Sequence, residues 1–323
     1  MNTTQDPKVA VLLATFNGAR FVEQQIESLT RNATPFTLHW LDDHSTDDTR
    51  QIVRAVAQGL ALREWHHGER QFLPGAFFQL LECVEADIYL FCDQDDIWQP
   101  GKIDAAVAAL LPDLASPVLC FSDSLMFYDD EPDIVRPLSE AYDSKPPKAL
   151  EESRVFTTVI APGHTQCFTR PLRDLYLRHK SVARAYARNH DAWMYLIANA
   201  AGSARLLSNV PTALYRQHSQ NVTATLLSRG GKRLDRSTLT LKQHQVLRRR
   251  TARHAQGFLI AAPTLSPGSK LERLVTLARR VATLDRRQSV AALVSLARSG
   301  AMWPNKRWAI GFAAACLWSD ASS

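Results

Sequence analysis

Regular patterning begins at Val9-Ala10-Val11-Leu12-Leu13-Ala14, an unbroken apolar run that predicts a strand buried on both faces of a parallel sheet. Thr15-Phe16-Asn17-Gly18 breaks the run, and Val22, Ile26 and Leu29 then recur along one helix face. Thr37 to Leu41 repeats the strand pattern and ends in Asp42-Asp43-His44-Ser45-Thr46-Asp47-Asp48-Thr49. Ser45 with Asp48 three residues on has the form of a capping box, ahead of a helix with Ile52, Val53 and Val56 on its stripe. Tyr89-Leu90-Phe91-Cys92 is a further buried strand, Pro100 opens a helix running from Lys102 to Leu111, and Val118 to Phe121 adds another strand. Strand, loop and helix alternate in a way that predicts an α/β fold, a right-handed and mostly parallel sheet flanked by helices. In such a sheet ligands lie beyond the carboxyl ends of the strands. Tyr128 to Ser153, rich in Pro, Asp, Glu and Ser, reads as a long irregular excursion, either an acceptor contact or a surface insertion.

With 323 residues, 46% of them hydrophobic, the chain can build a substantial core. No charged segment followed by an apolar one opens it, and nothing reaches the ~20 apolar residues of a membrane span. Five cysteines without a C-x-x-C pair point away from a disulfide framework and a zinc site, so a reducing cytoplasm is expected. Charge divides the chain in two. Up to Ser228 there are 20 Lys and Arg against 28 Asp and Glu, whereas beyond it there are 18 against 4. Residues 1–228 are therefore read as an acidic domain and 229–323 as a basic, mainly helical region. Arg248-Arg249-Arg250 and Arg253, with Trp303, Trp308 and Trp318 beside Lys306 and Arg307, fit a peripheral contact with the inner face of an anionic membrane. Packing on the domain or on a second subunit fits them equally. The tail has no helix-turn-helix, zinc or RNA-recognition signature, so no nucleic acid is expected.

The chemistry concentrates at Asp93-Gln94-Asp95-Asp96, directly after a buried strand. Carboxylates crowded in this way repel unless a cation lies between them, and Mg²⁺ or Mn²⁺ with a phosphorylated ligand suits hard oxygen donors. A solvated acidic turn is the plain alternative.

The segments V-A-V-L-L-A-T-F-N-G, L-D-D-H-S-T-D-D-T and Y-L-F-C-D-Q-D-D-I-W-Q-P-G-K-I, in this order and spacing, resemble the nucleotide-binding half of the inverting family 2 glycosyltransferases of GT-A fold, especially the bacterial rhamnosyltransferase-like members. The likeness covers roughly residues 8 to 225. It implies that Ala14, Thr15 and Asn17 surround the base and ribose, that Asp43 reads a pyrimidine imide, that Asp93 lies near the ribose, and that Asp95 holds the metal. Ala161-Pro162-Gly163-His164-Thr165-Gln166-Cys167-Phe168-Thr169-Arg170 resembles the segment beside the transferred sugar, with His164 in place of the usual Cys and Thr169 in place of Asn. Gly163, His164 and Thr165 are thereby implied as sugar contacts. Asn189-His190-Asp191-Ala192-Trp193 resembles the H-D-W-W element, which makes Asp191 the implied general base and His190 and Trp193 its neighbours at the acceptor; without the resemblance Asp191 reads as a helix cap. Tyr215-Arg216-Gln217-His218 resembles Y-R-x-H, implying Arg216 at phosphate and His218 at metal or diphosphate. Arg70 reads as a base or phosphate contact or as a solvated arginine, and the His66-His67 pair has no metal-spaced partner.

The resulting expectation is an inverting, metal-dependent transferase. It moves a sugar, L-rhamnose above all, from a dTDP- or UDP-linked donor to a hydroxyl of a surface polysaccharide or lipid-linked glycan. A nucleotidyltransferase would need a Gly- and Lys/Arg-rich loop where Thr15-Phe16-Asn17-Gly18-Ala19-Arg20 stands. A sugar-nucleotide binder without turnover is the other alternative.

Overall fold

A computed structural model of the protein describes residues 6–129, 131–141, 155–156, 161–207, 210–218 and 241–283. In chain order the elements are β1 (Val9–Thr15), α1 (Val22–Leu29), β2 (Thr37–Asp42), α2 (Thr49–Val56), β3 (Ala61–Trp65), α3 (Phe72–Cys83), β4 (Ile88–Cys92), β5 (Ile97–Trp98), α4 (Lys102–Leu110), β6 (Val118–Phe121), β7 (Leu125–Tyr128), β8 (Glu131–Pro137) and α5 (Leu138–Ala141). They continue with β9 (Cys167–Thr169), α6 (Arg170–Arg178), α7 (Lys180–Tyr186), α8 (His190–Ala201), β10 (Ser203–Leu206), β11 (Ala213–Gln217), α9 (Leu241–Ala261) and α10 (Ser269–Ala282).

β1 is buried along its whole length because it lies inside a seven-stranded sheet of order β10-β6-β9-β4-β1-β2-β3. Its side chains go alternately to two cores. Val9, Val11 and Leu13 join Val22, Ile26 and Leu29 of α1, Val53 of α2 and Ile103, Ala106 and Leu110 of α4. Ala10, Leu12 and Ala14 join Phe77 and Leu81 of α3 and Trp193, Leu196 and Ile197 of α8 on the opposite face. Two-sided burial is why the run is continuous rather than alternating. All pairs in this sheet are parallel except those of β9, which runs antiparallel to both β4 and β6. A second sheet, β5-β11-β7-β8, stands beside the carboxyl end of β4.

Two expectations are revised. The capping box does not form: the Ser45 hydroxyl donates to Asp42 (2.5 Å) and accepts the Asn17 amide (2.9 Å), and α2 starts at Thr49. The expected excursion from Tyr128 begins as a hairpin, because β8 pairs antiparallel with β7; residues 142–154 lie outside the described ones. The basic helices pack on the catalytic core, where Ala252, Ala255 and Phe258 of α9 and Leu274, Ala278 and Val281 of α10 share the α8 cluster. Trp303, Trp308 and Trp318 lie outside the described residues. Among the described residues no helix is long and apolar enough to cross a membrane.

Candidate active site

The loops after β1, β2 and β4 meet at one end of the sheet and are tied by side chains. Asn17, in the left-handed region (φ 48°), accepts the Thr46 amide at 2.8 Å through Oδ1. Gln94 clamps Phe16 from both sides, accepting its amide at 2.9 Å and donating to its carbonyl at 3.1 Å. Gly18 permits this, since a Cβ there would lie 2.3 Å from the Gln94 Oε1. Asp43, almost fully buried, accepts the amides of Gln71 (2.6 Å) and Phe72 (2.8 Å) ahead of α3. His67 Nε2 and Arg70 Nε each approach it to 3.5 Å. The Arg70 guanidinium is stacked 3.4 Å from the Phe16 ring centroid and 4.4 Å from that of Phe72, so it is part of an ordered cation–π stack rather than a loose loop arginine.

The acidic loop departs from β4 in three directions. Asp93 remains about a third exposed toward the crevice. Asp95 meets His218 Nε2 at 2.9 Å, and the His218 ring lies 4.4 Å from that of Phe21. Asp96 is fully buried; Oδ1 accepts the Arg216 amide at 3.2 Å, while Oδ2 has no hydrogen-bond partner and faces His164 Nδ1 at 3.5 Å. Desolvation, then the Asp95 and Asp191 carboxylates, push the Asp93 carboxyl up to about 8, and Asp96 is raised by burial and by its two acidic neighbours. Burial also holds His164 neutral, its pKa lowered to about 3.

On the facing side, a 3₁₀ turn at Gly163–Thr165 meets the start of α8. Asp191 accepts the Gly163 amide at 3.2 Å through Oδ2 and the Ala192 amide at 2.6 Å through Oδ1. Gln166 donates to the backbone carbonyls of Ala161 and Asp191, which fixes that turn against the helix. A Cβ at position 163 would lie 2.7 Å from His190 Nε2, so only glycine lets the turn sit this close.

Residues 10–168 match the family model described as glycosyl transferase family 2. Those residues form a glycosyltransferase domain of that family. The chain is 25% identical over 226 residues to a dTDP-rhamnosyl transferase, RfbG, of Shigella flexneri, spanning 65% of this chain and 72% of the relative. It is also 22% identical over 192 residues to an uncharacterised glycosyltransferase of Nostoc, of which it spans 55%. Among solved structures, a mannosyltransferase from Pyrobaculum calidifontis in complex with GDP-Man and Mn²⁺ superposes with a TM-score of 0.55 at 19% identity, over 98% of this chain and 88% of that one. The S. aureus TarS fragment 1–349 with UDP-GlcNAc gives 0.57 at 15%, over 96% and 89%. At these identities the likeness speaks for the fold.

The glycosyltransferase uses several of its motif side chains to build the crevice rather than to line it. Thr15 is buried between Asp42, to which it donates at 2.8 Å, and the Trp40 indole, which donates to it at 2.9 Å, so only its backbone faces the loop. Thr165 turns inward to donate to the Pro162 carbonyl at 2.8 Å. His190 is stacked 4.0 Å from Phe77, and desolvation holds it neutral with a pKa of about 4. Trp193 is fully buried against His254, which removes its ring from an acceptor contact. Arg216, expected at phosphate, is a buried clamp: Nε donates to the Asp95 carbonyl at 2.9 Å, Nη1 pairs with Asp129 at 2.8 Å, and the Phe21 and Phe127 rings flank it. The reason is common to all five, because packing between layers decides which way a side chain points. Sequence reading missed Gln94, Gln166 and Lys102. Lys102 alone carried a signal, a cation placed in the first turn of a helix where the dipole disfavours it.

The donor set fits a divalent ion. Ligand atoms of Asp93, Asp96 and His164 all lie within 4.8 Å of one another, and Asp96 Oδ2 is a buried oxygen without a hydrogen-bond partner. Asp95 and His218 form an adjoining carboxylate–imidazole pair.

Proposed function

We propose that the protein transfers a sugar with inversion from a nucleoside-diphosphate donor, L-rhamnose from dTDP-rhamnose, to a hydroxyl of a glycan or lipid-linked acceptor. The observation that carries this reading is the opposition of Asp191, anchored on the Gly163 and Ala192 amides, to the acidic loop across the Gly163–Thr165 turn, whose His164 reaches Asp93 at 4.0 Å and Asp96 at 3.5 Å. Anchoring leaves the carboxylate lone pairs beyond those two amide bonds to accept a proton. As the acceptor oxygen attacks the anomeric carbon, its proton passes to Asp191, the bond from that carbon to the diphosphate oxygen breaks, and the electron pair leaves with the diphosphate. Mg²⁺ or Mn²⁺, held by Asp95 and His218 together with the Asp93 carboxylate, would offset the charge gathering on the leaving group. Phe16, Arg70 and Asp43 would receive the base, a pyrimidine imide donating to the remaining acceptor capacity of Asp43. The name of the Shigella relative supports the choice of rhamnose, and the neighbour solved with Mn²⁺ supports a divalent ion.

Asp191→Asn should keep metal-dependent donor binding and lower transfer by about 10²–10⁴-fold. Transfer at the parent rate would remove Asp191 from the role of base. A hydrolysis screen over dTDP-, UDP- and GDP-sugars with Mg²⁺ or Mn²⁺ identifies the donor, and binding without turnover of any of them would favour the silent binder. The basic C-terminal region is proposed to add a peripheral contact with anionic lipid, which truncation before Trp303 should abolish in liposome flotation.

A further inference from the structure

His67 stands beside Asp43, the carboxylate proposed above to receive the base, and its side chain is 7% exposed. Nδ1 meets the Glu69 backbone carbonyl, which can only accept, so Nδ1 carries the hydrogen. Nε2 is therefore a lone pair when the ring is neutral and an N–H when it is charged. That atom is buried, has no hydrogen-bond partner, and lies 3.5 Å from Asp43 Oδ1. A buried polar atom left unpaired costs free energy, which a ligand that engages it recovers.

On the other side of the same carboxylate, Arg70 Nε lies 3.5 Å from Oδ2. Each Asp43 oxygen already accepts one amide, from Gln71 or Phe72, and keeps capacity for another donor. Arg70, Asp43 and His67 thus form a row of three. Its first two members are fixed in kind, because a guanidinium donates and a carboxylate accepts; only the imidazole can change. Besides Asp43 and Arg70, the titratable neighbours are two histidines. The His44 ring meets that of His67 edge-on at 5.0 Å between centroids, and His66 turns to Glu64 at 3.8 Å.

Nucleobase edges sort against that row. The imide of thymine or uracil presents carbonyl, N–H, carbonyl and calls for donor, acceptor, donor, which the row supplies only with His67 charged. The guanine edge presents carbonyl, N–H, N–H and calls for donor, acceptor, acceptor, which is the row with His67 neutral. Adenine and cytosine put an acceptor at the centre of their edges, against the Asp43 carboxylate. We propose that His67 is a specificity-determining residue for the donor nucleotide, its protonation favouring thymine or uracil over guanine. The inference rests on the base-site reading above. Arg70, its side chain 37% exposed, is the member that slides along Phe16 as the base enters.

The test titrates dTDP and dGDP with Mn²⁺ by calorimetry into the parent, His67→Gln, His67→Phe, His44→Gln and Asp43→Asn. The two nucleotides share deoxyribose, diphosphate and metal, so the ratio of their affinities cancels other titrations in the site. In the parent the ratio of dTDP to dGDP affinity should rise at least about ten-fold from about pH 8 to about pH 6. It should change by less than about three-fold in His67→Gln, whose amide can turn either a donor or an acceptor to the base, and in His67→Phe. His44→Gln should keep the rise of the parent. A ratio that stays flat in the parent, survives in both His67 variants or loses its rise in His44→Gln would overturn the proposal and leave His67 as loop packing against Glu69. Should neither nucleotide bind, or Asp43→Asn bind dTDP as the parent does, the base-site reading itself fails and takes the proposal with it.

Discussion

Burial and the Asp95 and Asp191 carboxylates raise the Asp93 carboxyl from 3.8 to about 8, so without metal the folded chain keeps a proton that the unfolded chain releases. A group raised on folding stabilises fully below its unfolded pKa, and that contribution is lost as pH climbs through the folded one. A divalent ion competes with the proton for the same oxygens. The gain in Tm on adding Mn²⁺ should therefore be larger at about pH 8.5 than at about pH 6, and Asp93→Asn should flatten the difference. Equal gains at both values would detach Asp93 from the ion. Arg216 makes a different kind of prediction. Arg216→Ala strips a buried partner from the Asp95 carbonyl and from Asp129, which keeps Arg20, so it should cost about 1–3 kcal/mol in urea unfolding. A variant of parent stability with weakened donor binding would instead restore the phosphate role. At this scale the sequence was legible where chemistry is crowded: four Asp at 42, 43, 93 and 95 stand out because like charges at strand ends need a reason. It was opaque where direction matters, since nothing in H-D-A-W tells that Trp193 turns into the core while Asp191 turns to Gly163.

Helices α7, α8 and α9 meet at Gly257, where an added Cβ would lie 2.4 Å from the Tyr186 Cβ. In an exposed helix Gly→Ala is favourable by about 1 kcal/mol, whereas overpacking costs about 1–3 kcal/mol. Gly257→Ala should thus destabilise, as read by denaturant midpoint, and a stabilised variant would mean that α9 does not dock on α7. Element types were readable from period alone in β1, α1, β2, β4 and α4, each a strongly patterned run ending at a clear breaker. The start of α2 was misread because Ser45 had a better partner in Asp42 than in the helix it precedes. β8 was invisible for a related reason, being a Pro-bearing edge strand paired on one side, with little apolar pattern.

Across the whole molecule, burial keeps several histidines neutral: His39 and His190 with pKa lowered to about 4, and His164 and His254 to about 3. Each takes up a proton on unfolding once pH falls below its ordinary 6.5, so this contribution to stability, present above that value, drains away toward pH 4. Midpoints of urea unfolding should fall over this window with a slope that His254→Gln makes shallower. A flat profile would show these imidazoles to be solvated. The fold class was legible from strand–helix alternation, but the place of β9 was not, because three residues carry no period. That strand has a consequence for synthesis. Among the described residues only Cys167–Thr169 joins β6 and β10 to the remainder of the sheet, yet β3, β2, β1 and β4 are complete once Cys92 has been made. A nascent chain halted anywhere between those points would carry Ile88-Tyr89-Leu90-Phe91-Cys92 as an unpaired apolar edge, open to pairing with its neighbour on the next ribosome.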